Sequence, residues 1–599
     1  MRVEVKFNFA YPWEMSEQKR ALRIANASGF LGDRADAFQR MVEDGPIDVV
    51  TADYLAEITM MILGKAKAKD PNAGYAAAFL KHLAPVFAQV LEKKIKVVVN
   101  AGGLNPRGLV AATKALARKL GLEANVACIE GDDLVPRLEA LRSTNAGFPS
   151  LETDAPLPTT PGFVYTANAY LGAFGIARAL SEGADIVVCP RVTDASLAMG
   201  PAIWWHGWGR EDHDALAGAL IAGHVIECGA QATGGNYSSF RAAGMDAMPG
   251  FPIAEVAADG SSVITKHASH PGIVTIGTVT AQLLYEVGSP RYLNPDVVGH
   301  LETTQLSQAS PDRVALTGTR GSAPPATTKV AIVCRGRYRN ELVFAFVGLD
   351  IEEKVALFEK LARASLQGRK VELTFQRIGT ARPDADNQNE ATVLVRLVAT
   401  SDDPEAAGKI FTMALIDQAV SSYPGLFLQD VPGPAFEVAG YWPTRVTQAD
   451  LAQVVVLDDG RVVAIDPPSV TAVTKDMPAP FVAAASPLET VRGPLARLVD
   501  ARSGDKGSDA NLGLWVRDAR AFPWLVETLT VEHLRRLLPE AASLAIERHV
   551  LPNLLGLNFV IHDLLKGGAT STLRFDRQAK ALGEFVRSRT VDLPSPLVA

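Results

Sequence analysis

The sequence predicts an α/β protein whose N-terminal domain is built on a parallel β-sheet. Over the first 240 residues, short apolar runs alternate with polar turns and with amphipathic helical stretches. The apolar runs lie at residues 22–25, 47–50, 96–99, 125–129 and 185–189. Because each of these runs is mostly apolar, they are typical of strands that are buried on both faces of a parallel sheet.

A polar turn follows each of these runs, and the fold class predicts that the turns meet. Crossover connections between parallel strands are right-handed, so every strand-to-helix turn emerges at the same edge of the sheet. Open α/β sheets bind their ligands at that edge. The sequence therefore predicts one shared pocket, formed by the turns that contain Asn26, Asp53, Asn100, Asp132 and Arg191.

The rest of the chain divides into three further parts after the parallel α/β ligand-binding domain at residues 1–250. Strands and helices mix over residues 251–465, which predicts an α+β domain. Residues 466–492 are rich in Pro, Ala and Ser and are predicted to be an extended linker. Residues 493–599 are predicted to form a small α+β domain, in which a polar loop at residues 502–509 separates two strands.

Composition narrows the class of protein. The 599 residues carry a net charge of −7, which gives no electrostatic reason to expect nucleic-acid binding. The apolar runs are too short to cross a membrane, and the N-terminus does not resemble a signal peptide. Four cysteines without CxxC spacing favour neither a zinc site nor a disulfide framework. We therefore expect a cytoplasmic homo-oligomer that binds a small molecule and has no nucleic-acid or membrane partner.

The turn after the first strand is the first candidate binding element. Glycines let backbone N–H groups approach an anion, and a following helix presents its positive end there. The turn matches neither a Walker loop nor a GxGxxG motif, and Asn26 could equally cap a helix. The predicted substrate-binding residues of this turn are Asn26, Ser28, Gly29, Asp33 and Arg34.

The turns after the later strands supply more candidates. Asn100, Gly102 and Gly103 precede a helix that Asn105 and Pro106 are predicted to start, and a capping role explains only those last two. Asp132 follows the next strand. The residues of these turns that are predicted to bind substrate are Asn100, Gly102, Gly103 and Asp132.

Arg191, Thr193 and Asp194 come directly after a buried run. Arginine can grip a carboxylate or phosphate with two N–H groups, and an aspartate can act as a base. The alternative is an Arg–Asp ion pair that only shapes the turn. Arg191 and Thr193 are predicted to bind substrate, and Asp53 and Asp194 are the predicted catalytic residues.

Two further segments contain candidate ligand contacts. A Gly-rich turn holds Gly234, Gly235 and Asn236, preceded by two polar side chains of interest, Glu227 and Gln231. Lys266 is a predicted substrate contact beside an HxxH pair. Because the second His of that pair precedes Pro, a metal-binding helix is disfavoured, and no metal site is predicted.

The loop at residues 502–509 carries more charge than a surface turn needs. Arg502, Asp505 and Lys506 are predicted to bind substrate. The alternative is a salt-bridged interface with the large domain.

Several of these segments resemble the acyclic terpene utilisation (AtuA-type) family. The resemblance rests on residues 24–33, 51–57, 100–106, 191–194 and 272–288. Residues 501–513 look like the ferredoxin-fold domain that is appended in that family, which implies a ferredoxin-like C-terminal domain. The family is associated with the breakdown of citronellol and geraniol and with branched acyl-CoA catabolism, where a hydratase or lyase step has been suggested.

These expectations combine into one functional hypothesis and two rivals. The chain is predicted to be a hydratase or other lyase for a branched acyl-CoA, with a carboxylate that moves a proton and Gly-rich turns whose N–H groups stabilise an enolate oxygen. No cofactor is predicted beyond the coenzyme A of the substrate. The first rival is a non-catalytic scaffold subunit of a carboxylase or dehydrogenase. The second, a metal-dependent amide- or carboxylate-processing enzyme, lacks ligand spacing.

Overall fold

The computed structural model describes residues 19–160, 162–241, 243–244, 246–429, 431–474 and 489–598. Most of the predicted linker lies outside these residues. The strands of the described part are β1 Leu22–Asn26, β2 Val49–Ala52, β3 Lys96–Val99, β4 Val126–Glu130, β5 Val164–Ala169, β6 Ile186–Val188, β7 Pro252–Val256, β8 Ser262–Lys266, β9 Arg291–Leu293, β10 Val298–His300, β11 Gln305–Ser310, β12 Arg313–Thr317, β13 Arg320–Ser322, β14 Thr327–Cys334, β15 Tyr338–Val347, β16 Glu372–Ile378, β17 Thr392–Ser401, β18 Leu426–Leu428, β19 Phe436–Glu437, β20 Gly440–Thr447, β21 Val454–Val456, β22 Val462–Ala464, β23 Thr490–Pro494, β24 Val499–Lys506, β25 Asp509–Val516, β26 Ile546–Leu551, β27 Gly556–Ile561 and β28 Thr590–Pro594.

The helices cover both faces of the sheets. They are α1 Ala37–Glu43, α2 Glu57–Lys69, α3 Ala78–Leu83, α4 Phe87–Glu92, α5 Pro106–Lys119, α6 Leu138–Arg142, α7 Phe174–Ser181, α8 Ser196–His206, α9 His213–Ile226, α10 Ile276–Leu283, α11 Ile351–Ser365, α12 Phe411–Ile416, α13 Gln418–Ser421, α14 Phe522–Thr528, α15 Val531–Leu537, α16 Gly568–Ser571, α17 Leu582–Arg587 and α18 Ser595–Val598. None of the described helices is long and apolar enough to cross a membrane.

A large mixed sheet forms the centre of the protein, in the order β11-β12-β8-β7-β1-β2-β3-β6-β4-β21-β22. Its five central strands, β1, β2, β3, β6 and β4, run parallel. These are the five apolar runs of the sequence, and their residues are almost fully buried, as expected for strands covered on both faces. The predicted parallel α/β fold is confirmed.

The same sheet continues past the predicted domain limit at residue 250. On one side β7 pairs antiparallel with β1, and β8, β12 and β11 follow. On the other side β21 pairs antiparallel with β4 and carries β22. These additions use the free hydrogen-bonding edges of the parallel strands. Six of the strands between residues 252 and 464 therefore belong to the central sheet, while the domain limits themselves stay a prediction.

The middle of the chain also forms smaller sheets. One has the order β20-β14-β5, and another, β16-β17-β15-β18, packs against α11 through Phe358. The sequence predicts one helix over residues 404–421. Instead, Gly408 leaves helical geometry at φ −92° and ψ −108°, and regular α-helix resumes only at α12. Glycine has no side chain to resist this backbone change.

The C-terminal region forms a four-stranded antiparallel sheet, β24-β25-β27-β26, with helices packed against it. The predicted polar loop at residues 502–509 is mostly strand. Lys506 pairs with Asp509, so only Gly507 and Ser508 form the turn, and Gly507 adopts a left-handed φ of 63°. A two-residue turn with positive φ matches the twist of a hairpin, which is why the strands extend so far.

Candidate active site

The polar turns at the carboxyl ends of β1, β2 and β3 interlock. The Ser28 hydroxyl donates to the Asp53 carbonyl at 3.0 Å. The Asn100 amide donates to Asp53 Oδ1 at 2.5 Å and accepts from the Tyr54 N–H at 2.7 Å. Asn26, Ser28, Asp53 and Asn100 are all buried. The turns thus meet at one edge of the sheet, and their polar groups satisfy one another.

Arg191 ties the turn after β6 to the neighbouring turns. Its guanidinium donates to Asp194 at 2.7 Å and to the Leu55 carbonyl at 3.3 Å. It also donates to the Tyr170 hydroxyl at 3.0 Å and stacks over that ring. Its backbone N–H donates to Asp132 at 3.2 Å. The Arg–Asp ion pair that the sequence offered as an alternative is therefore present, and Arg191 also joins the turns after β2 and β4.

The buried carboxyl groups at this edge have unusual acidity. Burial, followed by the charge of Asp194, raises the pKa of Asp53 well above its ordinary value, although Arg191 opposes this. Burial also raises the pKa of Asp194. Burial raises the pKa of Asp132 to about 7. Because like charges so close together resist ionising together, the charge on either Asp53 or Asp194 favours the protonated form of the other.

Beside this edge, the end of α9 presents a second acid–base pair. His224 Nδ1 lies 3.0 Å from Glu227 Oε1, and the Tyr292 hydroxyl lies 3.3 Å from the same nitrogen. Burial, with the nearby charge of Asp194, raises the pKa of Glu227 to about 7. Burial disfavours the charged form of His224, but the adjacent Glu227 outweighs it and raises the pKa of His224. Glu227 can therefore exchange a proton near neutral pH, and its charge favours the protonated form of His224.

The ferredoxin-like region adds charged side chains to the same place. Lys580 Nζ lies 3.1 Å from Glu286 Oε1 and 3.2 Å from Asp505 Oδ1. Burial works against the charged form of Glu286, yet Lys580 outweighs it and lowers the pKa of Glu286. Burial raises the pKa of Asp505 to about 6. The Arg502 guanidinium lies 4.1 Å from the centre of the Tyr285 ring and pairs with Gln231.

Four of these carboxyl groups form what we call the carboxylate cluster, namely Asp53, Asp194, Glu227 and Glu286. The charge of Asp194 acts on Asp53 and on Glu227, and the charge of Glu286 acts on Asp194 and on Glu227. Solvent reaches the cluster, because the side chains of Asp194 and Glu286 are 32% and 37% exposed. A small molecule can therefore contact Asp194 and Glu286 from the solvent side, while Asp53 and Glu227 lie largely buried beside them.

A family model for the acyclic terpene utilisation family protein AtuA matches residues 22–457, and a model for the AtuA ferredoxin-like domain matches residues 493–592. The chain belongs to the acyclic terpene utilisation family. The first match contains all of the carboxylate cluster, and the second contains Arg502, Asp505, Lys506 and Lys580. No curated protein and no solved structure matches the chain.

The glycines of this family member pack closely but do not offer free N–H groups. Gly29 donates to Asp33 at 2.8 Å. The N–H groups of the other four glycines donate to backbone carbonyls: these are Gly102, Gly103, Gly234 and Gly235. The expectation that these turns stabilise an oxyanion through backbone N–H groups is therefore corrected. The lack of a side chain has another use: a Cβ at Gly29 would lie 2.8 Å from the carbonyl carbon of Cys228, and one at Gly102 would lie 2.6 Å from the oxygen of Cys189.

Two other predicted contacts, Thr193 and Asn236, lie in turns that are held by other partners. Thr193 bonds Ser196 at 2.5 Å and accepts from Asn294 at 2.8 Å. Asn236 adopts a left-handed φ of 53° in a turn that leads to Ser238, which bonds the Ala501 carbonyl of the ferredoxin-like region at 2.6 Å.

Arg34 and Lys266 bond to other parts of the protein. Arg34 donates to Asp36 at 2.9 Å and to the Pro249 carbonyl at 2.9 Å. Lys266 pairs with Asp312 at 3.0 Å and donates to the His270 carbonyl at 2.8 Å. None of these described bonds connects Arg34 or Lys266 to the carboxylate cluster. Asn105 caps α5 through a 2.9 Å bond from the Gly108 N–H, as the sequence predicts.

Three functional candidates are not among the residues that the sequence predicts for the site: His224, Glu286 and Lys580. His224 lies in an apolar helix, where the only signal is that it precedes Glu227 by three residues, one helical turn. Glu286 lies within the segment at residues 272–288 that carries the family resemblance. In the described part of the chain, no three His, Cys, Asp or Glu side chains are grouped so as to hold a metal ion.

Proposed function

We propose that this protein is a hydratase or a related carbon–oxygen lyase that acts on a branched acyl thioester in catabolism. The observation that carries the proposal is the pair Asp194 and Glu227, two neighbouring carboxyl groups with raised pKa values, of which Asp194 is partly exposed to solvent. Removing water from a hydroxyacyl group requires a base for the α-proton and an acid for the departing hydroxyl. Two neighbouring carboxyl groups, one charged and the other protonated, can supply both.

The surroundings suggest a role for each group. Glu227, with a pKa of about 7, is present in both protonation states at neutral pH and can serve as the acid. Asp194 is held by Arg191 at 2.7 Å, which favours its charged form and suits a base. Asp53, whose pKa lies well above the ordinary value, can keep a proton in reserve beside Asp194. His224 holds Glu227 in place through a 3.0 Å contact.

Since the glycine N–H groups are occupied, charge that develops on the thioester oxygen needs another partner. Lys580 is the nearest described cation to Glu286 and Asp505 and keeps a third of its side chain exposed. A positive charge placed there stabilises a developing enolate more strongly than it would in bulk water. Lys580 is assigned this role because it is positively charged and lies beside Glu286 of the carboxylate cluster.

The test is to incubate the purified protein with branched and linear enoyl-CoA and 3-hydroxyacyl-CoA thioesters and to detect gain or loss of water by mass spectrometry. We expect Glu227→Gln and Asp194→Asn to lower turnover by roughly 100- to 10,000-fold, the usual contribution of general acid–base groups. Glu353→Gln, on the exposed face of α11, is the matched control and should keep full turnover. Inertness of the wild type across the whole panel would contradict the proposal and favour the scaffold alternative.

A further inference from the structure

Two lysines from distant parts of the chain face the same region without a carboxylate partner. Lys329 lies on β14, and Lys506 ends β24 in the ferredoxin-like region. Within the described residues, neither ammonium group has a carboxylate oxygen within ion-pair distance. Two other cations nearby are paired with carboxylates: Arg191 with Asp194, and Lys580 with both Glu286 and Asp505. A third, Arg502, bonds Gln231 and stacks on Tyr285.

The aromatic ring of Tyr441 connects the two lysines. Lys329 Nζ lies 5.5 Å from the centre of the Tyr441 ring and 5.2 Å from that of Tyr170. On the other side, a Cβ at Gly507, the neighbour of Lys506, would lie 3.4 Å from the same Tyr441 ring. The tip of the β24–β25 hairpin is therefore held against the ring that Lys329 packs on.

The charges of the two lysines act on each other. Surrounding protein, followed by the charge of Lys329, lowers the pKa of Lys506 even though its side chain still meets solvent. Glu57 is near enough for its charge to favour the charged form of both lysines, but it lies beyond ion-pair distance. Lys506 makes one described hydrogen bond, to the Glu286 carbonyl at 3.2 Å, and an ammonium group has three donors. Lys506 therefore has unused hydrogen-bond donors, and its positive charge has no carboxylate within ion-pair distance among the described residues.

We propose that Lys329 and Lys506 form a subsite for an anionic group of the ligand, a carboxylate or a phosphate, at the junction between the large sheet and the ferredoxin-like domain. An anion between the two ammonium groups would relieve their repulsion and accept charge-assisted hydrogen bonds from both. Because Lys506 bonds the backbone of Glu286, the bound anion lies next to the carboxylate cluster. The ferredoxin-like domain thus completes the binding site. The proposal deepens the lyase assignment and rests on it only in taking the ligand to be the substrate.

The test measures binding to the full-length protein by calorimetry, without any reaction. The probes are inorganic phosphate, glutarate and coenzyme A, each titrated into the wild type, Lys329→Met and Lys506→Met. Lys360→Met, an exposed lysine of α11, is the control. We expect both site variants to weaken the best-bound probe by roughly 10-fold or more, the scale of a lost charge-assisted hydrogen bond, and Lys506→Arg to retain binding.

The probes separate the two sources of negative charge. Tightest binding of glutarate identifies a carboxylate on the acyl chain, whereas tightest binding of phosphate and coenzyme A identifies the thioester's phosphates. Because Lys506 is exposed, its variant keeps the test valid if Lys329→Met does not fold. Absence of saturable binding in the wild type, or unchanged binding in Lys506→Met, would overturn the subsite.

The outcomes also separate this proposal from the lyase assignment. Loss of probe binding in the lysine variants of a protein that is inert toward all thioesters would support the subsite and contradict the lyase. Turnover that depends on Glu227, combined with unchanged probe binding in both lysine variants, would support the lyase and overturn the subsite.

Discussion

Polar groups in the turns after β1, β2 and β3 bond mainly to one another, whereas the junction with the ferredoxin-like hairpin contains charges without an opposite partner. Asn100 uses its side-chain amide to join Asp53 and Tyr54. At the junction, Lys329 and Lys506 have no such arrangement. Turns whose polar groups bond to one another form a rigid frame, whereas charges without an opposite partner can bind a ligand. Under our proposal, the sheet edge positions the site, while the ligand is held mostly where the two regions meet.

Removing the amide of Asn100 tests the frame and should have the largest effect on stability. Asn100→Leu keeps the side-chain size but leaves Asp53 Oδ1 and the buried Tyr54 N–H each without this partner. We expect the free energy of unfolding to fall by roughly 3 kcal/mol, since each buried polar group without a partner costs about 1–3 kcal/mol. Urea denaturation measures it, with Asn72→Leu in an exposed turn as the control. A loss no larger than that of the control would show that the turns are not a rigid frame.

The raised pKa of Glu227 should appear in the pH dependence of stability. The unfolded side chain loses its proton near pH 4.5, while the folded protein keeps it until about pH 7. Stability contributed by the protonated group is therefore present below pH 4.5 and is lost as the pH rises through this window. Relative to the wild type, Glu227→Gln should gain roughly 2 kcal/mol between about pH 4.5 and pH 8.

Chemical denaturation of both proteins at several pH values gives this difference directly. Asp402→Asn, at an exposed carboxylate, is the control and should follow the wild type. If the curves of wild type and Glu227→Gln run parallel across the window, the carboxyl group of Glu227 ionises normally and cannot be the acid that the lyase proposal requires.

The smallest effect is expected at the hairpin tip. Glu152 accepts from the Ser508 N–H at 2.8 Å and from its hydroxyl at 2.7 Å, and it lies on the surface. Glu152→Gln removes charge from both bonds and should cost no more than about 1 kcal/mol. The measurement is again urea denaturation, with the exposed neighbour Asp154→Asn as control. A much larger loss would mean that this contact, and not the buried surface, fastens the ferredoxin-like region to the sheet.

Much of the fold was predictable because the signal is local. Residues 97–99 are three consecutive valines and lie before a Gly-rich turn, which is enough to indicate a buried parallel strand and a helix start at Pro106. The extra strands of the central sheet were not predictable in the same way. Whether β7 pairs with β1, or β21 with β4, depends on which sheet edge is free, and that depends on the whole fold.

The candidate site shows the same difference between residues with a local sequence signal and residues whose partners depend on the whole fold. Asp53 and Asp194 stand out because they follow buried strands, and the rule that such turns share an edge brings them together. Glu286, Lys329 and Lys580 do not follow parallel strands, and their partners are far along the chain: Lys580 meets Glu286 across 294 residues. The acidity of Glu227 depends on burial and on neighbours that no local pattern reveals.

The central claim is that one ligand contacts the carboxylate cluster and the ferredoxin-like hairpin together. A crystal structure of the protein with a branched acyl-CoA bound tests it most directly. We predict density for the acyl group within hydrogen-bond distance of Glu227 or Asp194, with an anionic group of the same ligand against Lys329 and Lys506. Ligand density elsewhere, for example against Arg34 or Lys266, would contradict the account.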